Sequence, residues 1–356
     1  MILSRGRLPV TSDGAWRSNP TRGARSEGLP LSTQITGWGM SLPVDIRTNH
    51  DLAKLVDTSD EWIQTRTGIR ERRVAGAGES TLSLATAAGR QAMERAGVTA
   101  DAIDMILVAT ITPDYGFPAV ANLVQDELGA KNAAALDINA ACTGFISGLA
   151  IAHGLIQSGQ SQTVLLIGAE TMSRIVDWTD RATCVLFGDG AGAVVLQPSE
   201  GRGGVVSTML GSDGAGAELL YQPGGDGQRP GGNPADGPNL LVMDGREVYK
   251  FAVRTTARAS RETLDRAGLS VDDVDLFIPH QANIRIIDAA VKQLGLDPDK
   301  VFTNVESYGN ASAASVPMAL CEAVEAGRVR PGDRVLMVAF GGGLSWGGAL
   351  VEWRPA

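Results

Sequence analysis

Ala96-Gly97-Val98-Thr99-Ala100-Asp101-Ala102-Ile103-Asp104-Met105-Ile106-Leu107-Val108 returns later in the chain as Ala267-Gly268-Leu269-Ser270-Val271-Asp272-Asp273-Val274-Asp275-Leu276-Phe277-Ile278-Pro279. The two copies lie 171 residues apart throughout. Each reads as a helix end stopped by glycine, a short acidic turn and a buried strand. A second pair keeps the offset: the strand from Thr163 after Ser158-Gly159 matches the strand from Arg334 after Ala326-Gly327. Short periods build solenoids, whereas one repeat near half the chain length predicts two similar halves. Helical stretches at 80–97, 118–129, 142–158, 246–267, 283–295 and 312–327 alternate with short apolar strands. This predicts an α/β fold with parallel strands buried on both faces. The expected division is an extension over 1–33, an N-terminal half over 34–205 and a C-terminal half over 206–356.

Composition bounds the function. The 356 residues are 44% hydrophobic and 20% charged, close to the globular average. Thirty-one Lys and Arg against 40 Asp and Glu give a net charge of −9, which argues against a nucleic-acid partner. No apolar run is long enough to span a bilayer. Cys142, Cys184 and Cys321 are odd in number and widely spaced, so neither a disulfide scaffold nor a zinc site is expected. A reducing, cytoplasmic setting fits. Residues 1–30 differ from the rest, with Arg5, Arg7, Arg17, Arg22 and Arg25 against Asp13 and Glu27. They read as a disordered tail, an upstream start, or an organelle-targeting segment.

Several stretches can carry chemistry. Gly188-Asp189-Gly190-Ala191-Gly192 runs into a strand rather than a helix, so it is read as a tight turn and not a dinucleotide loop. In Asp137-Ile138-Asn139-Ala140-Ala141-Cys142-Thr143-Gly144-Phe145 a strand leads to a cysteine at a helix start. There the helix dipole favours a thiolate; a small packing cysteine is the alternative. His280, in Pro279-His280-Gln281-Ala282-Asn283, ends a buried strand, where α/β proteins bind ligands. Asn310 precedes the helix at 312–327 and either caps it or faces a site. Setting Asn310 opposite Cys142, at an offset of 168, would bring both towards His280. Phe340-Gly341-Gly342-Gly343 after the last long strand suits a plain turn or an oxyanion site. Lys250, Arg254, Arg258 and Arg261 share one helix face, with Arg285 and Lys292 on the next helix. They form either a solvated face or a dock for an acidic partner.

Together these strings, with Asp60-Glu61-Trp62-Ile63-Gln64-Thr65-Arg66, Thr179-Asp180-Arg181 and Tyr308-Gly309-Asn310-Ala311-Ser312, resemble the thiolase superfamily. More narrowly, they resemble the β-ketoacyl-acyl carrier protein synthase III enzymes over residues 34–354. The resemblance implies a five-layered αβαβα fold of two pseudo-symmetric halves in a homodimer. It implies that Cys142 takes an acyl group from acyl-CoA and that malonyl-acyl carrier protein then loses CO2 and condenses with it. His280 and Asn310 would hold the enolate, and the N–H groups of Cys142 and Gly342 the oxyanion. Trp62 and Arg181 would sandwich the CoA adenine, Arg66 would lie near its phosphates, and Gly245 and Asn283 would line the pantetheine tunnel. Phe117 and Phe340 are expected at the primer pocket, and Lys250, Arg254, Arg285 and Gln281 at the carrier-protein dock. No permanently bound cofactor is expected; acyl-CoA is a substrate. A polyketide-starter or quinolone-type synthase would keep the same three residues. A degradative thiolase needs a second cysteine that the glycine loop lacks, and a non-catalytic partner subunit would lose the nucleophile.

Overall fold

A computed structural model describes residues 31–201, 203–223 and 239–354. The arginine-rich segment at 1–30 and most of the Gly- and Pro-rich stretch at 222–238 lie outside the described residues. Nine main strands carry the fold: β1 (Leu31–Ser41), β2 (Met105–Ala109), β3 (Ala134–Ile138), β4 (Val164–Thr171), β5 (Asp189–Glu200), β6 (Gly204–Ser212), β7 (Leu276–Pro279), β8 (Arg334–Gly341) and β9 (Ser345–Glu352). The main helices are α1 (Asp60–Thr67), α2 (Thr81–Ala96), α3 (Val120–Leu128), α4 (Gly144–Gln157), α5 (Gly245–Arg266), α6 (Ile284–Leu294) and α7 (Ser315–Glu325).

The strands form two sheets, ordered β1-β5-β4-β2-β3 and β7-β8-β9-β6. Both are mixed. β2 runs parallel to β3 and β4, and β7 runs parallel to β8, but β5 and β9 fold back antiparallel on β4 and β8. The expectation of parallel sheets therefore holds only for the crossover half of each sheet. β1 already begins at Leu31, inside the stretch assigned to the extension, and the chain passes between sheets at Glu200–Gly204, just ahead of the expected boundary at 205.

Alternation along the strands sets the layers. Leu107 and Leu166 of one sheet, and Ile278, Val335 and Met337 of the other, pack against Phe145 and Leu149 of α4 and Val316 and Leu320 of α7. The opposite face of the first sheet, Ile106, Val108, Leu165 and Ile167, packs against α2 and α3 through residues such as Leu84, Ala88 and Val124. Phe277, Leu336 and Val338 on the far face of the second sheet bury Ala257 and Leu264 of α5 and Ile287 and Val291 of α6. The order is therefore helices, sheet, paired central helices, sheet, helices: the thiolase-type αβαβα arrangement.

The duplication is visible in the backbone. Gly97 and Gly268 both close helices with left-handed φ values of 64° and 68°, followed by 3-10 turns at Ala100–Ala102 and Val271–Asp273. The central helices each open on a 3-10 turn, Ala141–Thr143 and Ser312–Ala314. Ala141 and Ser312, 171 apart, share an unusual φ of 45° and 47°. The structural counterpart of Cys142 is therefore Ala313, and that of Asn310 is Asn139. The offset of 168 that equated Cys142 with Asn310 slips by three residues, because both turns precede their α-helices by the same length.

The Gly188–Gly192 run is not a turn. β5 starts at Asp189, and its glycines exist to admit α7: a Cβ on Gly192 would lie 2.6 Å from Met318 N and 2.7 Å from the Pro317 carbonyl carbon. These are backbone atoms that a rotamer change cannot move. Gly192→Ala is expected to cost about 1–3 kcal/mol by overpacking, read as a lower urea midpoint with an unchanged m-value.

Candidate active site

Cys142 sits in the 3-10 turn between β3 and α4 and is 6% exposed. It borders two cavities. The narrower, about 160 Å3, is lined by Cys142, His280, Asn310, Phe340, Gly245 and Asn283, among others. The wider, about 520 Å3, is walled by Ile111, Met172, Phe187, Leu220 and Leu241 and reaches Cys142, Gly342 and Gly343. Cys142, Phe187 and Leu220 belong to both. The sequence reading did not pick out this apolar wall, because its members come from five separated segments with no shared spacing.

His280 directly follows β7 and is 1% exposed. Its backbone N–H donates to Val338 O at 2.7 Å, and Nδ1 lies 2.6 Å from Ser315 Oγ. Phe340 meets the ring edge-on at 5.2 Å, and Nε2 is buried with no hydrogen-bond partner within the protein. Burial pushes the imidazole down from 6.5 to about 3, so it is neutral at physiological pH. Asn310 is pinned by its main chain: its N–H donates to Leu186 O (2.8 Å) and its carbonyl accepts from Gly188 N (3.1 Å). Asn310 Oδ1 accepts from Ser312 N at 2.8 Å. The amide oxygen is therefore committed to the turn, which leaves Nδ2 as the donor for the cavity.

The Cys142 thiol runs against the sequence expectation. A helix N-terminus favours a thiolate, yet burial pushes this thiol up to about 12, with the nearby Glu170 charge acting in the same direction. Desolvation outweighs the helix dipole here, and Cys142 rests as a thiol. The glycine loop is tied to the cysteine turn by Thr143 Oγ, 2.9 Å from Ser345 Oγ, which lies 2.9 Å from Gly342 O. Gly341 is the closest glycine: a Cβ on it would lie 2.8 Å from Cys142 N.

One sequence assignment is corrected. Gln281 is 1% exposed; its Nε2 donates to Pro279 O at 2.6 Å and its Oε1 accepts from Asn304 N at 3.0 Å. It braces the loop after β7 and has no surface to offer a docking partner. Phe340 meets His280 and Phe251 edge-on and lines the narrower of the two cavities that Cys142 borders.

Trp62 and Arg181 do come together, but on each other. The Arg181 guanidinium lies 4.9 Å from the Trp62 ring centre while donating to Asp57 O at 2.9 Å. A planar ring between them needs about twice the stacking distance of ~3.5 Å, so this slot is closed. Opening it forfeits a cation–π contact of about 0.5–1 kcal/mol. Asn283 caps α6 by accepting from Arg285 N (2.9 Å) and donates to Arg66 O (3.1 Å), joining α1 to α6 beside the narrower cavity. Gly245 is the first residue of α5 and lines that cavity. Arg66, Lys250, Arg254 and Arg285 are exposed. Lys250 pairs with Glu247 at 2.7 Å, and Arg285 lies 5.6 Å from the Tyr249 ring centre. Phe117 is 89% exposed on the loop before α3. Among the described residues no helix is long and apolar enough to cross a membrane, and no group of three or more His, Cys, Asp or Glu could hold a metal ion.

A pseudo-symmetric pair of sheets meeting at a buried cysteine, histidine and asparagine defines a condensing enzyme of the thiolase fold. Family models described as 3-oxoacyl-[acyl-carrier-protein (ACP)] synthase III and its C-terminal part match residues 136–214 and 264–353. The β-ketoacyl-[acyl-carrier-protein] synthase III of Roseiflexus castenholzii is 52% identical over 90% of this chain and 97% of its own. That of Symbiobacterium thermophilum is 53% identical over the same shares. The Thermus thermophilus synthase III structure superposes with a TM-score of 0.86 at 49% identity, covering 91% of this chain and all of that one. The priming β-ketosynthase of the R1128 polyketide pathway gives 0.87 at 40% identity, covering 94% of this chain and all of that one. The chain belongs to the β-ketoacyl-[acyl-carrier-protein] synthase III family and is an acyltransferase-type condensing enzyme of fatty acid initiation.

The buried neutral His280 gives a pH signature. Its folded value, about 3, lies below the unfolded value near 6.5, so the unfolded chain binds the extra proton between them. Stability therefore falls as pH drops through that window. His280→Gln is expected to lose less stability than the wild type between pH 6.5 and 4, measured by urea midpoints at each pH; equal losses would contradict a neutral buried imidazole.

Proposed function

We propose that the protein condenses an acyl-CoA primer with malonyl-acyl carrier protein through a Cys142 acyl-enzyme, giving 3-oxoacyl-acyl carrier protein, CoA and CO2. One observation carries the reading: Cys142 is the reactive side chain shared by a narrow cavity holding His280 and Asn310 and a wider apolar cavity fit for an acyl chain. The Cys142 sulfur attacks the CoA thioester carbonyl, and the oxyanion is met by the N–H groups of Cys142 and Gly342. The acyl chain is left in the apolar cavity, and CoA departs through the narrow one past Gly245 and Asn283. Malonyl-acyl carrier protein then enters by the same route. Its carboxylate leaves as CO2, and the electron pair is held as an enolate whose oxygen accepts hydrogen bonds from His280 Nε2–H and Asn310 Nδ2. The carbanion attacks the Cys142 thioester, and the sulfur leaves.

A neutral imidazole can donate from Nε2 only in one tautomer, and Ser315 supplies the reason for it. Ser315 Oγ lies 2.6 Å from His280 Nδ1 and also accepts from Gln281 N at 3.4 Å; in this reading the hydroxyl donates to Nδ1, which leaves the ring proton on Nε2. Trp62 and Arg181 would part to admit the adenine, with Arg66 near the phosphates. Lys250, Arg254 and Arg285 would meet the acidic carrier protein around the tunnel mouth. Phe117, too exposed for a lone aromatic, would close the partner's primer pocket in a cytoplasmic homodimer. The R1128 priming enzyme, 40% identical with a TM-score of 0.87, favours a second reading in which the same chemistry primes a polyketide.

Intact-protein mass after mixing with a series of acyl-CoAs tests the acyl-enzyme: one acyl adduct is expected and none on Cys142→Ala, while an adduct surviving in that variant would remove Cys142 from the reaction. Ser315→Ala is expected to leave acylation unchanged and slow condensation about tenfold, the worth of one hydrogen bond of about 1–1.5 kcal/mol. Combined charge reversal of Lys250, Arg254 and Arg285 should raise KM for the carrier protein without changing acylation by acyl-CoA; an unchanged KM would place the dock elsewhere.

A further inference from the structure

Glu322, near the end of α7, lies outside both cavities that Cys142 borders. It lines a separate open cavity of about 410 Å3 together with Asn304, Glu306 and Ser307, among others. Its carboxylate is nonetheless tied inward. Oε2 accepts from Asn304 Nδ2 and Oε1 from Tyr308 Oη, each at 2.6 Å. Burial, with the Glu322 hydrogen bond and charge, pushes the Tyr308 phenol up, so the phenol stays the donor. The two partners mark the two ends of one short helix, Val305–Tyr308. Asn304 stands at its N-cap, where an asparagine side chain ordinarily accepts from the first turn. Here it makes no such bond, and the amide is turned to Glu322 instead.

Each end of that helix leads to one member of the donor pair. Asn304 N donates to Gln281 Oε1 at 3.0 Å, and Gln281 Nε2 donates to Pro279 O at 2.6 Å and to Phe302 O at 3.3 Å. Pro279 and Gln281 flank His280, so this end grips the turn that carries the imidazole. The other end, Tyr308, runs through Gly309 into Asn310. Its carbonyl presses on the residue that pins Asn310: a Cβ on Gly188 would lie 2.2 Å from Tyr308 O, and Gly188 N donates to Asn310 O at 3.1 Å. Ser315, which holds His280 Nδ1, precedes Glu322 by two turns on the same face of α7. One helix face therefore meets the imidazole directly and, through Glu322, both segments that carry the donors.

We propose that Glu322 is a positioning residue that sets the separation of His280 Nε2 and Asn310 Nδ2, acting through Asn304–Gln281 on one side and Tyr308 on the other, without touching substrate. An enolate oxygen gains from two donors only when both stand at hydrogen-bond distance from the same point. Misplacing reacting groups by about 1 Å costs on the order of 10²-fold in rate. The Cys142 turn hangs instead on Thr143 and Ser345, so the Glu322 network bears on the donors and leaves the nucleophile aside.

The inference rests on the reading in which His280 and Asn310 serve the condensation step. The test separates the two half-reactions in the full-length protein: acylation by acyl-CoA, followed by intact mass, and single-turnover condensation of the resulting acyl-enzyme with malonyl-acyl carrier protein. Glu322→Ala should form the full adduct at the wild-type rate and then condense about tenfold more slowly. Glu322→Gln should regain most of that rate, because its amide can pair with a turned Asn304 amide and still accept from Tyr308. Tyr308→Phe should also slow condensation alone, and by a smaller factor on top of Glu322→Ala than in the wild type, since the two share one bond. Acylation and condensation slowed in equal proportion, condensation unchanged in Glu322→Ala, or fully additive effects would overturn the positioning role. Should Glu322→Ala not fold, Tyr308→Phe decides alone by the same split, and an unchanged condensation rate counts against the proposal. If wild-type acyl-enzyme does not condense, the function fails instead. Crystal structures of wild type and Glu322→Ala then still read the positioning: a changed His280–Asn310 separation supports it, and an unchanged one overturns it.

Discussion

The molecule depends on one close approach: the turns before the two central helices meet back to back. Ala313 is the hinge of that contact. A Cβ on Gly144 would lie 3.3 Å from the Ala313 Cβ and 2.8 Å from the Ala109 Cβ; one on Gly168 would lie 2.4 Å from Ala313 O. Only small residues let main chain meet main chain there. The sheets, the central helices and the site all take their spacing from this contact. Dispersion at such density is lost quickly when any member is displaced.

Symmetry at that contact explains the division of labour. His280 stands 171 residues after Ala109, and Ser315 stands 171 after Gly144. In the first half the pair is a bare steric contact; in the second the same two positions hold a histidine and its hydroxyl partner, 2.6 Å apart. Likewise Gly341 lies against the Cys142 turn where its counterpart Glu170 binds the Ser312 turn. One half carries Cys142 and the other carries His280 with its hydroxyl partner, on a backbone that is nearly the same. Burial then sets their protonation. It keeps the imidazole neutral and the thiol protonated.

Much of this was legible in the residues. The repeat of Ala96–Val108 at Ala267–Pro279 located both sheets, because glycine stops and apolar strands are local signals. Cys142, His280 and Asn310 stood out by their places at strand and helix ends. What was not legible depends on packing between distant segments. The glycines of β5 read as a turn because nothing local shows that α7 lies against them. Which of the helix dipole and burial wins at Cys142 was not legible, because desolvation is not local either. Gln281 read as surface because its main-chain partners, Pro279, Phe302 and Asn304, are fixed only by the fold. The closed Trp62–Arg181 slot and the Glu170–Ser312 link join segments too far apart in sequence for any spacing rule to connect.

The central claim is that one sulfur serves two chemically separate half-reactions. Acyl-enzyme freed of CoA by desalting, then mixed with malonyl-acyl carrier protein alone, tests it most directly. The account predicts one equivalent each of CO2 and 3-oxoacyl-acyl carrier protein, with Cys142 returned as a free thiol. Failure of the isolated acyl-enzyme to yield product until CoA is restored would contradict it.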